Sequence, residues 1–188
     1  MSIDNFINNA ADLDLAIKTC IEARLVLPAL LLIYAGMDIV ASIERLPGNR
    51  VGQSFISWVK RYALKARPLP CTSTELYAAR CGILHTLTPE SDLVHAGKAR
   101  RIVYAWGSAA PPDLQETARR MARSDIVVIH VEDLRWAFLE GTKLWFEDVH
   151  TDTARLSSVE KTLGLWFVNV SKEVIEQYLQ FTDPKPAV

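Results

Sequence analysis

Between Ala29 and Ile43 nearly every position is apolar, so a helix formed there has no face to offer water. Such a helix has to be surrounded by others, and the rest of the chain must supply them. Pro28 suits its first turn, and Pro47-Gly48 stops it. The most apolar stretch, Leu25 to Met37, is shorter than the roughly 20 residues a bilayer needs and is closed by Asp38. A core helix is expected, not a membrane span.

The flanking sequence has the required patterning. Phe6, Ala10, Leu13, Ile17 and Cys20 alternate spacings of four and three, which makes one helical stripe. Phe55, Val59 and Tyr62 share a face before Pro68 and Pro70, with Lys60, Arg61, Lys65 and Arg67 outward. Thr72 with Glu75 three residues on has the form of a capping box, followed by a stripe of Leu76, Ile83 and Leu87 that ends before Pro89. Leu134, Phe138, Gly141, Trp145 and Val149 restore helical spacing later, and Val174, Ile175, Tyr178 and Leu179 suggest a last helix behind Ser171. The segment from Arg155 to Val170 is ambiguous.

Two runs break the helical period. Arg101 to Trp106 and Asp125 to Val131 are short, β-branched and aromatic, and read as strands. A short helix after Pro111-Pro112 lies between them, which leaves both pairing directions open; an antiparallel ribbon is favoured. The expected fold is all-α dominated, a helical bundle with a small two-stranded β insertion, in one domain over residues 1–181 with a disordered tail at 182–188.

Composition narrows the function. A formal net charge of -1 excludes coating nucleic acid or anionic membrane by bulk electrostatics, which needs a large positive surplus. Cys20, Cys71 and Cys81 show no metal-binding spacing and read as reduced thiols, and Asp residues stand where a signal peptide would be basic, so a cytoplasmic protein is expected. Phosphate-binding glycine loops and a GxSxG elbow are absent, and no cofactor or metal is implied.

One pair of residues stands out for chemistry. Arg80 is the only arginine with a histidine, His85, four to six positions downstream, and both fall on the helix behind Thr72. Five residues turn a helix by about 140°, so the two do not stack, yet a long guanidinium and an imidazole can converge on one phosphate. A dimer with two-fold symmetry would gather both pairs around one cleft. Cys81 shares a face with His85 but reads first as a small buried hydrophobe, and Asp38, alone in its apolar helix, reads first as a capped or locally solvated acid, with orientation of Arg80 as the alternative. From spacing alone, a surface ion pair for Arg80 and a helix-dipole contact for His85 are the favoured reading, and only the helical-bundle context brings the two readings level.

A helical bundle carrying RCGILH, an arginine followed after four residues by histidine, resembles the HEPN superfamily of small helical ribonucleases and nucleotide-associated proteins. The similarity runs over the helical order from about residue 5 to 150 and includes the LLLIYAGMDIVAS helix with its internal acid. It implies a metal-independent endoribonuclease, with Arg80 and His85 catalytic, a homodimer, an RNA substrate, and a toxin or antiphage setting with an antitoxin partner. Cys81 stands where that family commonly has a polar residue, so a non-catalytic RNA- or nucleotide-binding or dimerisation module is the alternative.

Other clusters read as structural. His130 suits the end of a strand ahead of a helix whose first turn holds Glu132 and Asp133. His150 among Glu147, Asp148 and Asp152 presents no defined coordination face. Lys98, Arg100, Arg101, Arg119, Arg120 and Arg123 read as a solvated surface unless they border a cleft.

Overall fold

The alternating stripe of the N-terminal segment forms helix α1 (Ser2–Glu22), which lays Phe6 and Ile17 into the core and leaves Ile7 and Leu15 in solvent. The apolar run forms α2 (Val26–Ile43). It does not end at Asp38, and by length and a mean hydropathy of 2.0 it would also suit a bilayer. Here α1 and the helices over Val51–Trp58, Ser73–Thr86 and Val131–His150 pack around it, and Ile33, Tyr34 and Met37 are fully buried. The structure, a computed structural model, describes residues 2–45 and 48–163. The helix expected behind Ser171 and the tail at 182–188 lie outside these residues.

Phe55, Val59 and Tyr62 all reach the core as expected, but from a helix that changes pitch. α3 (Val51–Trp58) passes through a π turn (Val59–Ala63) into α4 (Leu64–Ala66). Helix α8 (Val131–His150) closes on this turn at Gly141, where a Cβ would lie 2.6 Å from Ala63 Cα. Only glycine permits that approach. Arg67, expected to face outward, turns onto α8 and pairs with Asp133 at 2.6 Å and Glu140 at 3.6 Å.

After α5 (Ser73–Thr86) and the short α6 (Asp92–His95), β1 (Arg101–Ala105) and β2 (Ile126–His130) pair in parallel, Arg101 opposite Ile126 and Ala105 opposite His130. The expected antiparallel ribbon is not formed. Helix α7 (Pro111–Arg120) carries the chain back past β1, so β2 starts beside the start of β1, the return that parallel strands require. Along the outer side of β2, the Gln115 amide accepts from Val128 N at 2.9 Å and donates to Ile126 O at 3.2 Å. The ambiguous segment begins with helix α9 (Thr153–Leu163), which packs on α1, α2 and α8. The fold is thus dominated by helix, with a minor two-stranded sheet.

Candidate functional site

Both ends of α5 are pinned. At its start Thr72 Oγ1 accepts from Glu75 N at 3.2 Å while Glu75 Oε2 accepts from Thr72 N at 2.7 Å, completing the capping box. The Glu75 carboxylate is buried and takes Arg100 Nε at 2.6 Å, which ties α5 to the entry of β1. Burial pushes this carboxyl up, but the bonds from Arg100 and Thr72 outweigh it and hold it below the usual range. At the other end Leu87, expected in the apolar stripe, is the left-handed C-cap (φ 55°) and is exposed. The chain then folds back over Gly82, whose carbonyl accepts from Thr86 Oγ1 at 2.8 Å and Thr88 N at 3.3 Å. A Cβ at Gly82 would meet Thr88 O at 2.4 Å and Glu90 O at 2.6 Å, so the glycine serves this return.

Arg80 and His85 meet within one chain. The guanidinium reaches along the helix, and its Nη1 lies 3.4 Å from His85 Nε2. A guanidinium only donates, so in this contact the ring nitrogen is the unprotonated one and its single lone pair faces Arg80. Asp38 faces the pair from α2: its Oδ2 accepts from Arg80 Nε at 2.9 Å and from Nη2, while Oδ1 is buried without a partner among the described residues. Burial works against the guanidinium charge, and the bonds and charge of Asp38 outweigh it, so Arg80 is held more firmly protonated than usual. Arg80 is largely enclosed, its side chain 12% exposed, whereas His85 is open to solvent.

Cys81 joins this group through its Sγ, 3.9 Å from Arg80 Nη1. Tyr77 was not foreseen. It shares a helical face with Cys81, four residues on, and its ring stands 6.0 Å from the Arg80 guanidinium carbon. Burial, then the hydrogen bond and charge of Cys81, raise the Tyr77 hydroxyl pKa. Gly52 of α3 admits this ring, since a Cβ there would lie 2.5 Å from the Tyr77 hydroxyl.

A second polar cluster also went unseen, because it depends on α9. Glu44 at the end of α2 accepts from Trp145 Nε1 at 2.6 Å and from Arg155 Nη2 at 2.7 Å. Arg155 also donates to Asp148 Oδ2 at 2.7 Å and to the Tyr62 hydroxyl at 2.8 Å, and Tyr62 donates to Asp148 at 2.6 Å. Burial raises the Glu44 carboxyl, but Arg155, Trp145 and the charge of Arg61 together bring it below its ordinary value.

The remaining sequence candidates are engaged elsewhere. His130 caps α8, its Nδ1 accepting from Glu132 N at 3.2 Å, and His150 Nδ1 lies 2.8 Å from Phe146 O. Arg101 pairs with Glu90 and Asp125, Arg119 and Arg120 with Glu116, and Arg123 with Asp125. No three metal-ligating side chains come together among the described residues. In comparisons with family models, characterised proteins and solved structures, the chain matched none.

Proposed function

We propose that the chain is a metal-independent endoribonuclease of HEPN type, with Arg80 and His85 as its catalytic pair. The observation that carries this reading is the 3.4 Å approach of His85 Nε2 to an arginine oriented by Asp38. With Arg80 turned from His85 onto the phosphate, the released His85 Nε2 takes the proton of a ribose 2′-hydroxyl, the 2′-oxygen attacks the adjacent phosphorus, and the 5′-oxygen leaves with a proton from water or from a second copy's histidine. The products are a 2′,3′-cyclic phosphate and a 5′-hydroxyl end. Arg80 stabilises charge gathering on the phosphoryl oxygens. A homodimer bringing two pairs to one cleft, a toxin or antiphage role in the cytoplasm and an antitoxin partner belong to the same proposal.

Purified protein is incubated with single-stranded and structured RNA in EDTA. Cleavage that disappears in both His85→Ala and Arg80→Ala supports the reading, and intact RNA, or equal cleavage by the variants, overturns it. One observation favours a second reading. All three guanidinium nitrogens of Arg80 already have partners in Asp38, Cys81 and His85, which suits a non-catalytic RNA- or nucleotide-binding or dimerisation module. RNA retained but uncut would select it.

A further inference from the structure

The π turn opens onto two adjoining clefts that the Arg80 site does not use. The first, about 470 Å³, is lined among others by Glu44, Asn49, Gln53, Ser57, Trp58 and Arg61, and Tyr62 stands between it and the second. Its wall joins the edge of an indole to hydroxyl and amide groups, with the Glu44 carboxylate already engaged by Trp145 and Arg155, a mixture that fits a hydroxylated organic body. Trp58 is 95% buried, with 5% of its surface exposed, and its indole N–H has no acceptor among the described residues. A buried donor in that state favours any ligand oxygen able to reach it.

The second cleft, about 510 Å³, shares Arg61 and Tyr62 with the first and adds Lys60, Lys65, Leu144 and Asp148. Three cations thus face one carboxylate. Asp148 is already taken by Arg155 and Tyr62, and Arg61 only grazes it at 3.4 Å. Lys60 and Lys65 form no ion pair among the described residues. The surplus of positive charge lies directly beside the first cleft, joined to it through Arg61. π turns are frequent where a helix departs from regularity for function.

We infer that these two clefts form one binding site for a phosphate monoester with a hydroxylated body, the phosphate held by Lys60, Arg61 and Lys65 and the body laid against Trp58. The site is separate from Arg80 and His85 and does not depend on RNA cleavage.

Full-length protein is titrated calorimetrically with inorganic phosphate, ribose 5-phosphate and adenosine 5′-monophosphate, and the indole N–H resonances are followed by NMR, with Trp58 assigned from Trp58→Phe. At least one ester binds more tightly than inorganic phosphate and moves the Trp58 resonance, and the two esters together tell whether sugar or base occupies the wall. Arg61→Gln, at an exposed position where folding is safe, weakens binding about tenfold, and Trp58→Phe weakens it by up to about tenfold. His85→Ala leaves the titration unchanged. No ester binding at millimolar concentration, binding no tighter than inorganic phosphate, or affinity unaltered in Arg61→Gln overturns the inference.

Discussion

Asp38 holds Arg80 through a single oxygen: Oδ2 takes the guanidinium Nε at 2.9 Å and Nη2 as well, while Oδ1 is buried with no partner among the described residues. Both side chains are at least four-fifths enclosed, at 12% and 19% exposure, so either charge left alone is poorly solvated. Asp38→Asn is expected to cost about 2–4 kcal/mol in urea unfolding at neutral pH, while Asp38→Leu combined with Arg80→Met costs less than the sum of the two single changes. Strict additivity would show that the pair contributes nothing of its own.

Glu44 gives the stability of the bundle a defined acid limb. Its folded carboxyl lies below its ordinary value because Arg155, Trp145 and Arg61 prevail over burial. A depressed carboxyl stabilises the fold above the unfolded pKa, about 4.3, and that contribution is lost as pH falls through the folded value. The Glu44 contribution is therefore constant between pH 7 and about 5 and declines below about 4. Glu44→Gln should lower stability at pH 7 and give a shallower loss on acidification, read from unfolding midpoints across that range.

Cys71 should be chemically silent in the folded protein. Burial, reinforced by the Glu75 charge, pushes its thiol up to about 12, and only 7% of the residue is exposed. Alkylation with iodoacetamide at pH 8 should modify Cys20 and Cys81, which are partly accessible, well before Cys71. Peptide mapping by mass spectrometry reads the order, and early modification of Cys71 would contradict the packing around it.

Gly82→Ala tests the return of the chain over α5. The added methyl would strike two backbone carbonyls, Thr88 O at 2.4 Å and Glu90 O at 2.6 Å, neither of which can swing aside as a side chain would. A loss of about 1–3 kcal/mol follows, or roughly 2–10 °C in Tm for a chain of this size. A melt unchanged from wild type would mean that the 88–90 segment does not lie where described.

Much of the scaffold was legible because it rests on local signals. Thr72 and Glu75 announced the start of α5, the run from Ala29 announced a surrounded helix, and the β-branched runs located both strands within a residue or two. Pairing direction was not legible, because residues 106–125 leave both returns open by length; the path of α7 decides it. The π turn left no mark, since Phe55, Val59 and Tyr62 satisfy ordinary helical spacing. Arg80 and His85 converge despite the 140° or so between them because a guanidinium can reach further than Cβ directions suggest. Tyr77 could have been found from its spacing of four to Cys81. Glu44 could not, because its partner Arg155 lies 111 residues away in the segment that had no clear reading.

Gln115 places a side-chain amide where the peptide group of a neighbouring strand would otherwise sit. A third strand approaching β2, whether from this chain or from another molecule in a crowded solution, would first have to displace two existing hydrogen bonds. A helix, through one residue, thereby limits the width of the sheet, and guards that side of an otherwise short and open ribbon against growth by edge-to-edge stacking.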